Sequence, residues 1–239
     1  MASGKTIVLI TGGNSGIGYE TVAALSSASA DFHILLGCRS VEKGEAAVEQ
    51  MKKEFGSALK GTIQVIQIDI TDRKSINTLK EKIETQFGRL DALINNGGVL
   101  VHTPMDILDA LRISFETNPY IIYVSSEQGS VTQRNDPNVD IMHRRLRGEP
   151  YRMSKAAINM LSACHRYNYA EWGCRVLAFN PGWCVSNLTG AEGREMRLKA
   201  GARDPKEPAH ALASIIQGKR DADIEKNGMV DVDEGVLPW

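Results

Sequence analysis

The sequence lacks long hydrophobic runs and any marked excess of one charge sign. Its apolar stretches, such as Ile7–Ile10 and Val176–Phe179, have the length of a strand and are far too short to cross a membrane. The formal net charge of -1 gives no basic surface of the kind that binds nucleic acid or an anionic bilayer. The N-terminal residues do not form a signal peptide. We therefore expect a cytoplasmic protein that binds neither nucleic acid nor membranes.

Cysteine and histidine are also scarce. Cys38, Cys164, Cys174 and Cys184 form no C-x-x-C pair, and no histidine cluster lies beside them in the sequence. This spacing favours reduced cysteines in the core or in strands over a zinc site. The five histidines fit no arrangement for a metal or a nucleophile, and we expect them to be structural.

Strand-like and helix-like segments alternate along the whole chain. The predicted strands are Lys5–Ile10, His33–Gly37, Ile63–Ile68, Leu90–Asn95, Tyr120–Ser125, Arg175–Asn180 and Met229–Val232. The predicted helices are Gly16–Ser29, Val41–Phe55, Asp72–Phe87, Tyr151–Trp172 and Lys206–Gln217. Ser40 and Thr71 are predicted N-caps. The alternation predicts one Rossmann-type α/β domain over residues 1–239, with a doubly wound parallel sheet of about seven strands.

A glycine-rich turn joins the first strand to the first helix. Its glycines allow a sharp turn and a close approach to a pyrophosphate, and the helix N-terminus offers free N–H groups to phosphates. The position between a strand and a helix favours a dinucleotide site over a turn that is merely tight. The predicted cofactor contacts in this turn are Gly12, Asn14, Ser15, Ile17 and Gly18.

The ends of the second and third strands indicate which dinucleotide binds. The second strand is followed by Arg39, and no acidic residue occurs before Glu42. An arginine can bind a ribose 2′-phosphate, whereas NAD sites usually place a carboxylate here, so we predict NADP(H). Arg39 could instead be a solvated loop residue. Asp69, at the end of the third strand, is a predicted acceptor for the adenine amino group, although a bare Asp could also cap a helix.

Further motifs follow in a fixed order. They are Asn95-Asn96-Gly97-Gly98 after the fourth strand, Ser125-Ser126 after the fifth, Tyr151-x-x-x-Lys155 on a helix, and Asn180-Pro181-Gly182 after the sixth. With the glycine turn, this ordered set resembles the short-chain dehydrogenase/reductase family. Gly97 stands where that family usually has Ala. From Lys5 to Trp239 the chain is similar to carbonyl-reductase-like members of filamentous fungi, including the stretch Arg220–Asp223.

The resemblance implies an NADP(H)-dependent enzyme that interconverts a carbonyl and an alcohol on a small or medium organic substrate. Tyr151 would give a proton to the carbonyl oxygen, and Ser126 would hydrogen-bond that oxygen. Lys155, one helical turn from Tyr151, would lower the pKa of the phenol and hold the nicotinamide ribose. The resemblance also implies cofactor contacts from Asn95, Gly182, Cys184 and Ser186.

The segment Ser130–Pro150 is longer than the usual spacing between the family's Ser and Tyr. We expect it to cover the substrate pocket. It contains the charge run His143–Arg147, which favours a solvated face over a site for an acidic substrate.

The connection between the fourth and fifth strands is short. Family members carry a long helix there with a catalytic Asn, whereas here the predicted helix Pro104–Glu116 is about 20 Å long. Asn118 could be that Asn, but Asn118-Pro119 fits better as the lead-in to the fifth strand. We therefore expect Asn118 to lie more than about 10 Å from Tyr151. An apolar patch or void, lower stability and an altered or absent form of the family's usual homo-oligomer should follow.

Two other functions stay open. One is a nucleotide-binding protein of this fold whose catalysis is impaired or lost and which acts as a partner or sensor. The short connection between the fourth and fifth strands favours this alternative. The intact set Ser126, Tyr151 and Lys155 argues against it. The other is a non-redox relative such as an epimerase, dehydratase or lyase. The 239 residues hardly allow the larger substrate domain of extended epimerases. Neither the substrate nor its stereochemistry is indicated by the sequence.

Overall fold

The short β-branched runs form one mixed sheet. In the computed structural model, which describes residues 4–97, 119–139, 148–186 and 190–239, the strand order is β3-β2-β1-β4-β5-β6-β7-β8. All neighbours are parallel except β8, which is antiparallel to β7. The strands are β1 (Thr6–Thr11), β2 (Phe32–Cys38), β3 (Thr62–Gln67), β4 (Ala92–Asn95), β5 (Tyr120–Val124), β6 (Arg175–Asn180), β7 (Met229–Asp231) and β8 (Val236–Leu237). The predicted doubly wound sheet is confirmed, with eight strands instead of about seven.

Helices alternate with these strands. The described helices are α1 (Gly16–Ala28), α2 (Val41–Phe55), α3 (Arg73–Phe87), α4 (Val131–Asn135), α5 (Glu149–Asn168), α6 (Gly190–Lys199), α7 (Lys206–Ile216) and α8 (Asp221–Ile224). The predicted helix Tyr151–Trp172 is α5 followed by a separate 3-10 turn at Ala170–Trp172. The short helices α4 and α8 and the polar helix α6 were not predicted.

The core lies on both faces of the sheet. Along β1, Val8 and Ile10 belong to one buried cluster, while Ile7 and Leu9 belong to the other. Successive side chains of a strand point to opposite faces, so a strand that is apolar throughout must be covered on both. Helices α1, α2 and α7 contribute to the first cluster, and α3 contributes to the second. This layering leaves the carboxyl ends of the parallel strands as one open edge, where ligands of such folds bind.

Two local expectations require correction. Ser40 caps α2 as predicted, because its Oγ accepts from the Lys43 N–H at 3.2 Å. The cap of α3 is Asp72, not Thr71, since the Asp72 carboxylate accepts from the Lys74 N–H at 3.0 Å. Thr71 instead donates its N–H and its hydroxyl to Asp69.

The cysteines are reduced, but they are not all in the core or in strands. Cys38, Cys174 and Cys184 are buried, whereas Cys164 is exposed. Cys164 lies on α5 between two other exposed side chains of that helix, Met160 and Tyr167. Its spacing from them places all three on one helix face. Among the described residues, no group of His, Cys, Asp and Glu side chains could hold a metal ion.

The connection between β4 and β5 lies mostly outside the described residues. It nevertheless returns the chain to the same end of the sheet, because β4 and β5 pair in parallel with Ala92 opposite Tyr120. The predicted helix Pro104–Glu116, Asn118 and the charge run His143–Arg147 also lie outside the described residues, so the expected distance from Asn118 to Tyr151 stays a prediction. None of the helices in the described ranges is long and apolar enough to cross a membrane.

Candidate functional site

The glycine turn between β1 and α1 is shaped by one close backbone contact. Gly12 adopts a φ of 65°, a conformation that costs little only for glycine. Gly18 packs so tightly that an added Cβ would overlap the carbonyl oxygen of Gly12 and lie 2.6 Å from Asn96 Nδ2. The Asn96 amide donates to the carbonyls of Thr11 at 3.0 Å and Gly12 at 3.3 Å. The turn is therefore fastened to the residue that follows β4.

The surroundings of this turn fit the phosphates of a dinucleotide. The first turn of α1 contains no acidic residue, so its positive dipole end and free N–H groups are available to an anion. Ser15 is exposed, Asn14 and Ile17 are half-buried, and all three lie at this helix start. At the end of β4, both polar atoms of the Asn95 side chain are buried without a partner among the described residues. A buried amide without partners is costly and fits a polar ligand that arrives at this edge.

Gly18→Ala should weaken binding of the NADP(H) that the sequence predicts by at least about tenfold, equivalent to about 1.4 kcal/mol. The new methyl group would push the Gly12 carbonyl and reshape the phosphate turn. Fluorescence titration with NADPH measures the affinity, and a thermal melt measures the stability. In the control Gly88→Ala, the glycine has a φ of 72° but open space around it, so stability should fall while affinity stays the same. Unchanged NADPH affinity in Gly18→Ala would contradict this account of the turn.

Arg39 and Asp69 lie at the ends of β2 and β3, on the same edge of the sheet. Arg39 is exposed, and its carbonyl accepts from Gln67 Nε2 at 3.2 Å. Hydrogen bonds from the hydroxyl and N–H of Thr71, followed by the charge of Arg39, hold the pKa of Asp69 below its usual range. The Asp69 carboxylate thus fixes the turn before α3 but does not cap that helix, whose cap is Asp72. Arg39 follows β2 at the same edge of the sheet as the glycine turn, because β1 and β2 are parallel neighbours.

The three predicted catalytic residues come together at the ends of β5 and α5. Ser126 follows β5, and its hydroxyl is close enough to the Tyr151 phenol to lower the pKa of that phenol. Tyr151 and Lys155 lie on the first turns of α5, and Lys155 Nζ is 5.7 Å from the centroid of the Tyr151 ring. A hydroxyl donor, a phenol and an ammonium group therefore meet at the carboxyl edge of the sheet.

The electrostatics of Tyr151 differ from the sequence expectation. Burial raises the pKa of Tyr151, the hydrogen bond with Ser126 and the charge of Arg197 lower it in part, and Glu127 raises it further. The expected lowering by Lys155 is not among these influences. Lys155 Nζ instead donates to the Val124 carbonyl at 3.0 Å, and burial lowers the pKa of Lys155 to about 8. The phenol is consequently protonated at neutral pH, the form that can give a proton.

The turn that carries Ser126 is held by buried side chains. Ser126 Oγ accepts from the Gln128 N–H at 3.2 Å. The Glu127 N–H donates to Asn180 Oδ1 at 3.0 Å, and Asn180 Nδ2 donates to Asp231 at 2.8 Å. Asn180 thus joins the turn to the ends of β6 and β7.

Ser125 and Asn159 fasten β5 to α5 in the interior. Ser125 Oγ donates to Asn159 Oδ1 at 2.5 Å and lies 3.3 Å from the Lys155 carbonyl. Both residues are buried. Tyr151 and Lys155 lie on the same helix as Asn159. This contact therefore fixes the position of α5 along β5 and, with it, the positions of Tyr151 and Lys155 relative to Ser126.

The residues after β6 lie on the side of the site that is away from the glycine turn. Gly182 has a φ of 70°. The Cys184 thiol donates to the Pro181 carbonyl at 2.9 Å, and burial raises its pKa to about 11, so Cys184 is a neutral, inward-facing side chain. Ser186 Oγ accepts from an Arg197 guanidinium nitrogen at 3.4 Å. This contact joins the segment after β6 to α6.

Sequence reasoning missed several residues that build the site. Asn96 and Asn180 stand inside motifs that were recognised, but their roles as fasteners needed the folded contacts. Asn159 lies one turn beyond Lys155, and this i+4 spacing was the available signal. Arg197 on α6 carries no local signal, because it approaches Tyr151 only through the fold.

Comparison with known proteins agrees with this geometry. A family model described as short chain dehydrogenase matches residues 6–118. The short-chain dehydrogenase/reductase tropE of Talaromyces stipitatus is 26% identical over 258 aligned residues, covering 94% of this chain and 95% of the relative. The short-chain dehydrogenase anuI of Penicillium roqueforti is 30% identical over 213 residues, covering 79% of this chain and 82% of the relative.

Solved structures share the fold. An NADPH-bound carbonyl reductase from chicken fatty liver has a TM-score of 0.72 at 22% identity, with 98% of this chain and 99% of that chain covered. An L-sorbose reductase from Gluconobacter frateurii, complexed with NADPH and L-sorbose, has a TM-score of 0.66 at 17% identity, with 89% of each chain covered. The sequence relatives, the parallel sheet and the meeting of Ser126, Tyr151 and Lys155 lead to one conclusion: the chain belongs to the short-chain dehydrogenase/reductase family of oxidoreductases.

Proposed function

We propose that the chain is an NADP(H)-dependent oxidoreductase that interconverts a carbonyl and an alcohol on a small or medium organic substrate. The observation that carries this proposal is the proximity of the Ser126 hydroxyl to the half-buried Tyr151 phenol, whose pKa it lowers in part. The pair lies beside Lys155, at the same sheet edge as the glycine turn. Two neighbouring hydroxyl groups suit an oxygen that gains negative charge during reduction, because each can donate a hydrogen bond to it.

The protein's own groups account for the proton in this reaction. The nicotinamide cofactor, when bound, supplies the hydride that reduces the carbonyl carbon. The Tyr151 hydroxyl gives its proton to the carbonyl oxygen, and the Ser126 hydroxyl hydrogen-bonds the same oxygen while charge develops on it. Lys155 would hold the nicotinamide ribose, and Ser126 and Arg197, which lower the pKa of Tyr151 in part, favour the phenolate that remains after the proton has left. In the oxidative direction the same groups act in reverse order.

The cofactor would lie along the carboxyl edge of the sheet. Its pyrophosphate would bind the glycine turn and the start of α1, its adenosine part would lie by Asp69 and Asn95, and its 2′-phosphate by Arg39. The nicotinamide would lie against the segment after β6. The proposed contacts are Gly12, Asn14, Ser15, Ile17, Gly18, Arg39, Asp69, Asn95, Tyr151, Lys155, Gly182, Cys184 and Ser186.

NADPH should bind at least about tenfold more tightly than NADH, a difference of about 1.4 kcal/mol. Arg39 supplies a cation at the end of β2, and Arg39→Asp should shrink or reverse the ratio because a carboxylate repels the phosphate and accepts from a ribose hydroxyl. Titration of both cofactors measures the ratio. Lys52→Asp makes the same charge change on an exposed side chain near the far end of α2 and should leave the ratio unchanged. Equal affinity of the unmodified protein for both cofactors would refute the preference.

The activity itself is tested by NADPH oxidation against a panel of aldehydes, ketones and quinones. We expect at least one compound to be reduced to its alcohol or hydroquinone with loss of one NADPH per product. If NADPH binds but no compound of a broad panel is turned over, the reductase proposal fails.

A second candidate is a nucleotide-binding member without catalysis. One observation favours it: the alignment with tropE spans 258 positions, more than the 239 residues of this chain, so that relative has residues with no counterpart here. The short connection between β4 and β5 is a natural place for such a loss. Tight NADPH binding combined with no turnover would support this candidate.

A further inference from the structure

The segment that follows β7 reaches back to the turn that carries Ser126. This segment, Val236–Trp239, is called the tail below. Its first two residues form β8 against β7. The Pro238 carbonyl then accepts from Ser130 Oγ at 2.7 Å, and the Trp239 carbonyl accepts from the Thr132 N–H at 3.0 Å. Two hydrogen bonds thus join positions more than a hundred residues apart in the chain.

Ser130 is the point where these contacts converge. Its side chain is buried, and its hydroxyl accepts from the Gln133 N–H at 3.1 Å while donating to Pro238. The same hydroxyl therefore caps α4 and anchors the tail. A buried hydroxyl that donates one hydrogen bond and accepts another is held in place, and it holds its bonded neighbours in place as well.

The turn Glu127–Gly129 connects Ser130 to the catalytic residues. The turn begins at Ser126 and is closed by the Ser130 N–H, which donates to the Glu127 carbonyl at 2.8 Å. Gly129 packs directly on α5, since a Cβ added there would lie 2.5 Å from the carbonyl carbon of Lys155. Movement of Ser130 would therefore move Ser126 relative to Tyr151.

We propose that the tail is a positioning element for catalysis, which through Ser130 sets the distance between the Ser126 and Tyr151 hydroxyls. This inference rests on the proposed reductase function. The hydrogen bonds that join the tail to this part of the described structure go to Ser130 and Thr132 and not to either catalytic hydroxyl, so Ser130, Pro238 and Trp239 are positioning residues and not catalytic ones. Their removal should affect the chemical step and spare cofactor binding, because the glycine turn lies at a different part of the sheet edge.

Two variants remove the hydrogen bond between Ser130 and the tail, each by changing one of its two partners. Ser130→Ala removes the donor, and a variant lacking Pro238 and Trp239 removes the acceptors. Each should lower kcat about tenfold, since small misplacements of reacting groups are costly, with NADPH affinity unchanged. The combined variant should lose little more than either one, because both changes break the same contact.

The matched control is Ser26→Ala. Ser26 is also buried, and its hydroxyl donates to a distant backbone carbonyl, that of Gly61, at 3.1 Å. This contact lies at the other end of α1, away from the catalytic residues. We expect a similar loss of thermal stability in Ser26→Ala and no change in kcat. An equal loss of kcat in this control would show that the tail acts only through overall stability and would overturn the inference.

Hydrogen exchange gives a readout that does not depend on turnover. Amides from Gln128 to Thr132 should exchange faster in Ser130→Ala and in the shortened variant, and amides of β1 should not change. Unchanged exchange in this turn, or additive losses of kcat in the combined variant, would refute the positioning role. If the unmodified protein reduces no carbonyl, the proposed function fails, and exchange alone decides the inference. If the shortened variant does not fold, Ser130→Ala decides it.

Discussion

Replacing Tyr151 by phenylalanine is expected to lower kcat for carbonyl reduction by about a thousandfold while NADPH affinity stays unchanged. The ring and its packing remain, and only the hydroxyl beside Ser126 is lost. Because burial raises the pKa of this phenol, the hydroxyl is protonated at neutral pH and is available for the proposed proton transfer. Steady-state kinetics and NADPH titration measure the two quantities.

Tyr123→Phe is the matched control for this prediction. Tyr123 is also buried, and its hydroxyl is hydrogen-bonded to His165 Nδ1 at 2.7 Å. Tyr123 faces α5, but its partner His165 lies fourteen residues beyond Tyr151 on that helix, about 21 Å along its axis. Loss of the Tyr123 hydroxyl should lower stability and leave kcat close to that of the unmodified protein. If Tyr151→Phe kept near-full activity, the proton donor would have to be a different group.

Lys155→Met is expected to abolish most activity and at the same time to stabilise the fold at pH 7 by about 1–3 kcal/mol. Burial lowers the pKa of Lys155 to about 8. At pH 7 the folded protein therefore holds a charged ammonium group in a desolvated position that disfavours the charge. Methionine fills similar space without that charge. NADPH affinity should also fall, because Lys155 is proposed to hold the ribose. Chemical denaturation, activity and NADPH titration measure the three effects.

The stability gain in Lys155→Met should depend on pH in a defined direction. Above about pH 8 the folded protein releases the Lys155 proton, whereas the unfolded chain holds it to the ordinary lysine pKa near 10.4. The unfolded state then binds more protons, so the stability of the unmodified protein rises with pH across this window relative to the variant. The difference in free energy of unfolding between Lys155→Met and the unmodified protein should be largest below pH 8 and should disappear as the pH rises toward 10. Lys206→Met, at a half-exposed lysine paired with Glu54, should give no such gain. A difference that stays constant with pH would refute the buried-charge explanation.

The local parts of the site could be predicted from the sequence. The glycine turn is encoded within a few residues, since Gly12 needs a positive φ and Gly18 needs the absence of a side chain. The spacing of Tyr151 and Lys155 correctly predicts that they lie close together. The unbroken apolar run Ile7–Ile10 of β1 correctly predicts a strand covered on both faces. Each of these features depends on neighbours in the chain.

Other parts depend on contacts between distant residues. The spacing of Tyr151 and Lys155 did not predict that Lys155 Nζ would bond to Val124, or that burial would raise the pKa of Tyr151. The bond from Ser130 to Pro238 spans most of the second half of the chain and has no local signature.

The missed elements also have physical reasons. Helix α6 has no buried residue among its members, so it lacks the apolar stripe by which an amphipathic helix is recognised. Strand β8 consists of only Val236 and Leu237, which is too short for an alternating pattern. Neither element could be found from periodicity alone.

The central claim is that this site delivers a hydride from NADPH and a proton from Tyr151 to one carbonyl group. The most direct test uses NADPH deuterated at C4 of the nicotinamide, with mass spectrometry of the alcohol formed from a substrate of the carbonyl panel. We predict one deuterium on the former carbonyl carbon with the unmodified protein and almost no product with Tyr151→Phe. An alcohol formed without deuterium from either C4 position, or no alcohol from any carbonyl while NADPH is bound, would contradict the account.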